Sequence, residues 1–230
     1  MKTPKSSTTR STGAITASLA EEMALFEQGY CFIAGLDEAG RGCLAGPVVA
    51  AAVMLPLEKG AETLSELLRG VNDSKQLSEA TRESLYDRIM QEALAVGVGI
   101  GSVELIERYN ILQATKRAMQ VALDQLSPAP QALLLDALTL PNLTLPQRSL
   151  IKGDARSLSI ASASIIAKVT RDRLMRELHQ EYPEYGFDRH KGYGTEAHIA
   201  AIKQYGATPH HRKTFSPIRE MLYGLFADFE

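Results

Sequence analysis

The chain has 230 residues, with 25 Lys and Arg against 27 Asp and Glu, a formal charge of −2 and 45% hydrophobic residues. That length and apolar content suffice for one sizeable core with a small appended lobe, and the charge balance argues against binding of polyanions through total charge. No apolar run approaches the ~18 residues of an α-helical membrane span, and Cys31 and Cys43 have neither metal-ligand nor disulfide-framework spacing, which points to a reduced, cytoplasmic setting.

Residues 1–20 are rich in Ser and Thr, carry Lys2, Lys5 and Arg10 without an acid, and lack a continuous apolar stretch. They read as a disordered tail, and a single arginine makes a poor transit peptide. Residues 30–37 are apolar and strand-like and run into Gly35-Leu36-Asp37-Glu38-Ala39-Gly40-Arg41-Gly42. Two carboxylates thus fall at the strand's C-terminal edge beside a glycine-flanked arginine. A strict strand period sends Asp37 and Glu38 to opposite faces, so a shared site requires the chain to turn there. Gly40 and Gly42 permit positive φ and close backbone approach to another molecule. Hard divalent cations such as Mg²⁺ take oxygen ligands, and a pair of them clamps the attacking and leaving oxygens in phosphodiester cleavage. An isolated Asp-Glu pair in a turn is more often merely solvated, so this reading depends on further acids.

Strands are expected over 48–55 and 95–103, the latter alternating Val96, Val98 and Ile100 with Gly97, Gly99 and Gly101, as in a strand packed closely on its glycine face. Ser78 is placed to cap a helix to about 94 and Asn110 another to about 126. Residues 131–136 form a second buried-type strand ending in Asp136, followed by a strand over 148–151. Lys152-Gly153-Asp154 then opens onto a long helical pattern over 157–179. Asp154 there fits either a helix cap or a metal ligand. The first half of that helix is small and apolar, suited to lying close on a sheet; the second carries Lys168, Arg171, Arg173 and Arg176. Thr195 caps a short helix ended by Gly206, and Ser216 begins the last one.

Three acidic clusters at element edges are what a site for two cations ~4 Å apart requires. Between 147 and 176 the chain also holds Arg148, Lys152, Arg156, Lys168, Arg171, Arg173 and Arg176 against only Asp154 and Asp172, a local basic face with some i,i+4 pairing inside it. Four of the five histidines, His190, His198, His210 and His211, follow residue 189 with no metal-ligand spacing; surface or phosphate-contacting positions are expected. Tyr193, between glycines and near Lys191, reads as an exposed stacking platform.

Taken in order, several of these segments resemble the ribonuclease HII family, the bacterial type 2 ribonucleases H. They are Leu36-Asp37-Glu38-Ala39-Gly40-Arg41-Gly42 with Ala45-Gly46-Pro47, Val71-Asn72-Asp73-Ser74-Lys75-Gln76-Leu77-Ser78, Leu135-Asp136, Lys152-Gly153-Asp154, the run 159–172, and His190-Lys191-Gly192-Tyr193-Gly194-Thr195. The resemblance spans roughly 30–220. It departs at Cys43, where many members carry proline, without touching a catalytic position. The resemblance implies an α/β ribonuclease H-like fold, a mixed five-stranded sheet flanked by helices, over 21–206. A C-terminal helical extension over 207–230 would follow. Asp37, Glu38, Asp136 and Asp154 match the four catalytic carboxylates that hold two Mg²⁺ or Mn²⁺ ions. Gly40, Arg41 and Gly42 match the loop whose backbone reads a ribose 2′-hydroxyl, and Tyr193 the residue that stacks under the next deoxyribose. Lys75, Lys152, Arg156 and Lys168 are the candidate phosphate contacts. The implied activity is cleavage of RNA in RNA/DNA hybrids and on the 5′ side of a ribonucleotide in duplex DNA, with no membrane partner.

Two other classes share parts of this pattern. A junction resolvase or exonuclease has the carboxylates but no use for a 2′-hydroxyl reader. A non-catalytic binding module has no use for four acids that repel the backbone unless a cation intervenes.

Overall fold

The computed structural model describes residues 17–224. Its elements follow as α1 (Ala20–Phe26), β1 (Ile33–Ala39), β2 (Val48–Met54), α2 (Ala61–Leu67), α3 (Glu79–Glu92), β3 (Ala95–Gly101), α4 (Val103–Asp124), β4 (Ala132–Asp136), β5 (Gln147–Leu150), α5 (Leu158–Glu181), α6 (Phe187–His190), α7 (Glu196–Tyr205) and α8 (Ile218–Tyr223). The strands form one mixed sheet in the order β3-β2-β1-β4-β5. β1, β2 and β3 pair antiparallel, while β4 joins β1 and β5 joins β4 in parallel.

Because β1, β2 and β4 are buried on both faces, they are apolar almost throughout, and helices cover each side. One face packs Ile33, Val49, Ala51, Val53 and Leu134 against α5 and α3; the other packs Leu36, Ala50, Ala52, Leu133 and Leu135 against α4. Leu36 and Leu134 are fully excluded from water, each worth about 1.5–3 kcal/mol of burial. Small residues set these distances. A Cβ on Gly35 would lie 2.3 Å from the Ser159 carbonyl carbon of α5, and one on Gly99 would lie 1.9 Å from the Ala118 oxygen of α4. The alternating glycines of β3 therefore seat α4, as their spacing suggested.

Helix starts follow the capping residues. Ser78, Ser157 and Thr195 side chains accept the N–H of Thr81, Ile160 and His198, respectively. Asn110 also caps, accepting from Gln113 N at 3.1 Å, but it does so inside α4, where its φ of 70° breaks the helix after a first stretch from Val103. That stretch, like α1 and α2, was not anticipated, being too short for a clear period.

Of the segment read as a tail, 1–16 lies outside the described residues. Ser18 forms a β-bridge with Ser157, and Leu19 is buried. Glu22, 1% exposed, accepts hydrogen bonds from Ser157 Oγ, Ser159 N and Ser159 Oγ, tying α1 to the start of α5. At the other end, Leu44, Ala45, Met175, Tyr185, Phe187, Ala201, Ile202 and Ile218 form a separate small core. It fastens the C-terminal segments to the loop after β1; residues 225–230 lie outside the described residues. No helix among the described residues is long and apolar enough to cross a membrane.

Candidate active site

β1 continues through Ala39, two residues past Asp37, so the turn expected at the Asp-Glu pair is absent. Asp37 is opposite Ala51 and Glu38 opposite Ala50, and the alternation of the strand sends them to the α5 and α4 faces. The register that pairs Leu36 with Leu135 brings Asp37 level with Asp136 at the end of β4. Asp154 comes from a single 3₁₀ turn, Gly153–Ala155, that precedes α5. Its alternative as a helix cap is removed, since Ser157 caps α5.

Carboxylate oxygens of Asp37, Asp136 and Asp154 all lie within 4.8 Å of one another. Glu38 stands outside that three-way cluster, paired with Arg41 at 3.1 Å, and its buried Oε2 has no hydrogen-bond partner. Burial pushes the Asp37 carboxyl well above the usual range, reinforced by the charges of Glu38 and Asp136. Burial likewise raises Glu38 against the pull of Arg41, and raises Asp154, with Asp73 and Asp136 adding to the effect. Lys75 Nζ, 3.7 Å from Asp154, offsets part of this repulsion. Hard oxygen donors held together at an energetic cost, with one buried oxygen unpartnered, fit a divalent cation.

The surroundings hold the donors in place. Asp136 Oδ1 accepts from Gly153 N at 2.8 Å and Asp37 Oδ1 from Glu38 N at 2.7 Å. Ser164 of α5 bonds Asp37 and lies 2.8 Å from Ser74 Oγ. Asp73, Lys75, Asp136, Lys152 and Asp154 line an open cleft of about 530 Å³. Sequence reasoning missed Ser74, Ser164 and Asp73 as site residues; the helix and turn containing them signalled packing, not their direction.

Gly40 turns the chain out of β1 with φ +95°, and a Cβ there would lie 2.0 Å from Arg171 Nε. Arg171, fully buried, donates to the carbonyls of Ala45, Pro47 and Lys191 at 2.9–3.0 Å. Arg212, equally buried, donates to Arg41 and twice to Gly46. Burial pushes its guanidinium down to about 10, which leaves it charged at neutral pH. Loop 41–47 is thus fixed from inside by two arginines whose hydrogen bonds all go to backbone oxygens. Tyr193 is 44% exposed, with Lys168 Nζ 5.8 Å from its ring centroid.

The basic face is smaller than its sequence suggested. Arg148 and Arg156 pair with Glu21, Lys168 with Asp172, and Arg173 and Arg176 with Glu83. Arg171 is interior. Lys152, exposed beside Asp154 with φ 56°, forms no ion pair among the described residues. The surface expected for the histidines is likewise corrected: His198 and His211 are 0% and 1% exposed, and His190 stacks on His198. No sequence pattern places them together, because they come from three different segments of the C-terminal core.

The sequence pattern of ribonuclease HII matches residues 34–218. The chain belongs to the ribonuclease HII family. Ribonuclease HII of Bacillus cytotoxicus is 57% identical over 201 residues, covering 87% of this chain and 74% of that relative. Its counterpart in Halalkalibacterium halodurans is 57% identical over 202 residues, 88% and 74% of the two chains. Among solved structures, the ribonuclease H2 of Pyrococcus horikoshii OT3 superposes with a TM-score of 0.70 at 30% identity, covering 86% of this chain and 99% of that one. Membership in the ribonuclease HII family makes this chain a metal-dependent nuclease with a ribonuclease H fold, and the three-carboxylate cluster is where a divalent cation fits.

Proposed function

We propose that this chain is an endoribonuclease that cleaves the RNA strand of RNA/DNA hybrids and cuts duplex DNA on the 5′ side of an embedded ribonucleotide, leaving 3′-hydroxyl and 5′-phosphate ends. The observation that carries the reading is the convergence of Asp37, Asp136 and Asp154 from β1, β4 and the turn before α5, with the Gly40–Gly42 loop directly after β1. With Glu38, these acids would hold two Mg²⁺ or Mn²⁺ ions. Divalent cations so held supply positive charge at the attacking and departing oxygens of a phosphodiester. Removal of misincorporated ribonucleotides and RNA primers is the corresponding cellular role.

The remaining residues bind and orient. Peptide groups of Gly40, Arg41 and Gly42 meet the ribose 2′-hydroxyl, and the inner arginines hold that loop before substrate arrives. Tyr193 presents its ring to the sugar of the following deoxynucleotide. Lys75 and Lys152, flanking the cleft, meet phosphates, whereas Arg156 and Lys168 reach them only by leaving Glu21 and Asp172.

The test compares a labelled RNA/DNA hybrid, a DNA duplex with one ribonucleotide and an all-DNA duplex, each with Mg²⁺ and with EDTA. Expected are cleavage of the first two with Mg²⁺ only, a cut 5′ of the lone ribonucleotide, and rejection of the DNA duplex by about 10⁴-fold, as for a site built around a hydroxyl. Equal cutting of the DNA duplex would refute the reading.

A further inference from the structure

The buried histidines form a chain with one consistent placement of protons. Thr208 N–H lies 2.9 Å from His211 Nδ1 and can only donate, so Nδ1 accepts and the ring proton sits on Nε2. That nitrogen faces His198 Nε2 at 3.1 Å, which must therefore accept. The proton of His198 is left on Nδ1, 2.9 Å from the carbonyl oxygen of Tyr193, which can only accept. His190, stacked on His198 at 4.4 Å, obeys the same logic: it accepts from Gly192 N at Nδ1 and donates from Nε2 to the Tyr185 carbonyl at 2.7 Å.

Aromatic side chains enclose the pair, and the Thr208 hydroxyl, 2.9 Å from His211 Nδ1, donates to it beside the Thr208 N–H. Phe187 lies 5.4 Å from His198 and 5.7 Å from His211, and Tyr185 lies 5.1 Å from His211, between ring centroids. The charged or titratable neighbours are His190, His210 and Tyr185, with Arg212 following His211 in the chain. No carboxylate among the described residues hydrogen-bonds either ring. Burial, with the neighbouring imidazoles, holds both His198 and His211 at about 4, so the pair stays neutral where carboxylates are ionised. The relay ends on the backbone of Tyr193, an exposed residue whose ring centroid lies 5.8 Å from Lys168 Nζ.

We propose that His198 and His211 are positioning residues that set the Tyr193 turn, and through it the ring that meets the sugar beyond the cleavage point. This rests on the role given to Tyr193 above. Sequence spacing alone assigns these histidines to the surface; the structure makes them the inner support of substrate selection at an RNA-to-DNA junction.

Two near-isosteric variants separate positioning from packing. The amide of His198→Asn reaches the place of Nδ1 and keeps a donor for the Tyr193 carbonyl; that of His198→Gln reaches the place of Nε2, keeps a partner for His211 and loses the donor. The readout is the ratio of cleavage rates on a single-ribonucleotide duplex and on a long RNA/DNA hybrid, with thermal melting alongside. Tyr193→Ala should lower the ratio about fivefold or more, the low end of aromatic stacking. His198→Gln should lower it similarly, and His198→Asn should hold it within about twofold. Adding His198→Gln to Tyr193→Ala should cause no further fall. If Tyr193→Ala lowers the ratio while the Asn and Gln variants match each other, the positioning role is wrong and the Tyr193 reading stands. An unchanged ratio in Tyr193→Ala instead refutes that reading itself. Should the Gln variant fail to fold, nitrogen NMR of the wild-type rings at pH 7 decides. An Nδ1–H tautomer at His198 with Nε2–H at His211 supports the relay, and the reverse tautomers or charged rings overturn it.

Discussion

On one side of the cleft, Asp37, Asp136 and Asp154 bring oxygens within 4.8 Å of one another, and burial with mutual repulsion pushes Asp37 and Asp154 upward. At the loop that follows β1, Arg171 and Arg212 each donate three hydrogen bonds into backbone carbonyls, nearly all of loop 41–47, and the histidine relay closes on Tyr193. The acidic side is incomplete by itself and gains from an added cation. The loop side is already held by internal hydrogen bonds, so its shape is ready when substrate arrives. Substitutions should therefore have opposite signatures on the two sides: loss of activity without loss of stability among the acids, and loss of stability among the arginines.

The largest effect falls on the acidic side. Asp136→Asn keeps shape but removes a charge, and hybrid cleavage at saturating Mg²⁺ should drop by about three orders of magnitude, the several kcal/mol that a polarising cation supplies. Hybrid binding and melting temperature should be retained. Next comes the loop side. Arg171→Met leaves the carbonyls of Ala45, Pro47 and Lys191 unpartnered and should cost about 3 kcal/mol in urea unfolding. A cost near zero would show that the loop does not depend on its inner arginine.

A smaller effect carries the opposite sign. Because the Asp37 carboxyl is raised in the folded protein, the stability linked to its proton is present at acid pH and lost as pH rises through the folded-state value. In EDTA at pH 8, Asp37→Asn should be more stable than the wild type by on the order of 1 kcal/mol, as relief of contact between like charges provides. That advantage should shrink as pH falls toward the ordinary carboxylate range. Smallest is the phosphate side. Lys152→Ala should lower the slope of log affinity against log salt by about 1, and Arg156→Ala by less, since Arg156 is held by Glu21.

The sheet was legible because its strands are apolar runs closed by acids or glycines, and Ser78 and Thr195 marked two helix starts. The acids at Asp136 and Asp154 were legible because each stands at an element's edge, Asp136 ending β4 and Asp154 preceding α5. What the sequence misplaced depends on contacts between distant segments. The chain does not turn at Asp37 and Glu38; Asp37 meets Asp136 because β4 arrives beside β1. Arg148, Arg156, Arg173 and Arg176 read as a phosphate-binding face until α1 and α3 supply their acids. The histidines read as surface because nothing local shows that Phe187, Tyr185 and Ile218 build a core around them. Short helices such as α1 and α2 depend on that same packing and leave little periodicity of their own.

The acidic side is tested most directly by calorimetric titration of the metal-free protein with Mn²⁺ at about pH 7, in two buffers of different ionisation enthalpy, for the wild type, Asp136→Asn and Arg171→Met. Binding to carboxyls raised by burial and repulsion should release protons. The account predicts proton-releasing binding in the wild type, affinity weakened at least about tenfold in Asp136→Asn, and affinity kept in Arg171→Met wherever it remains folded. Equal Mn²⁺ affinity in the wild type and Asp136→Asn would contradict it.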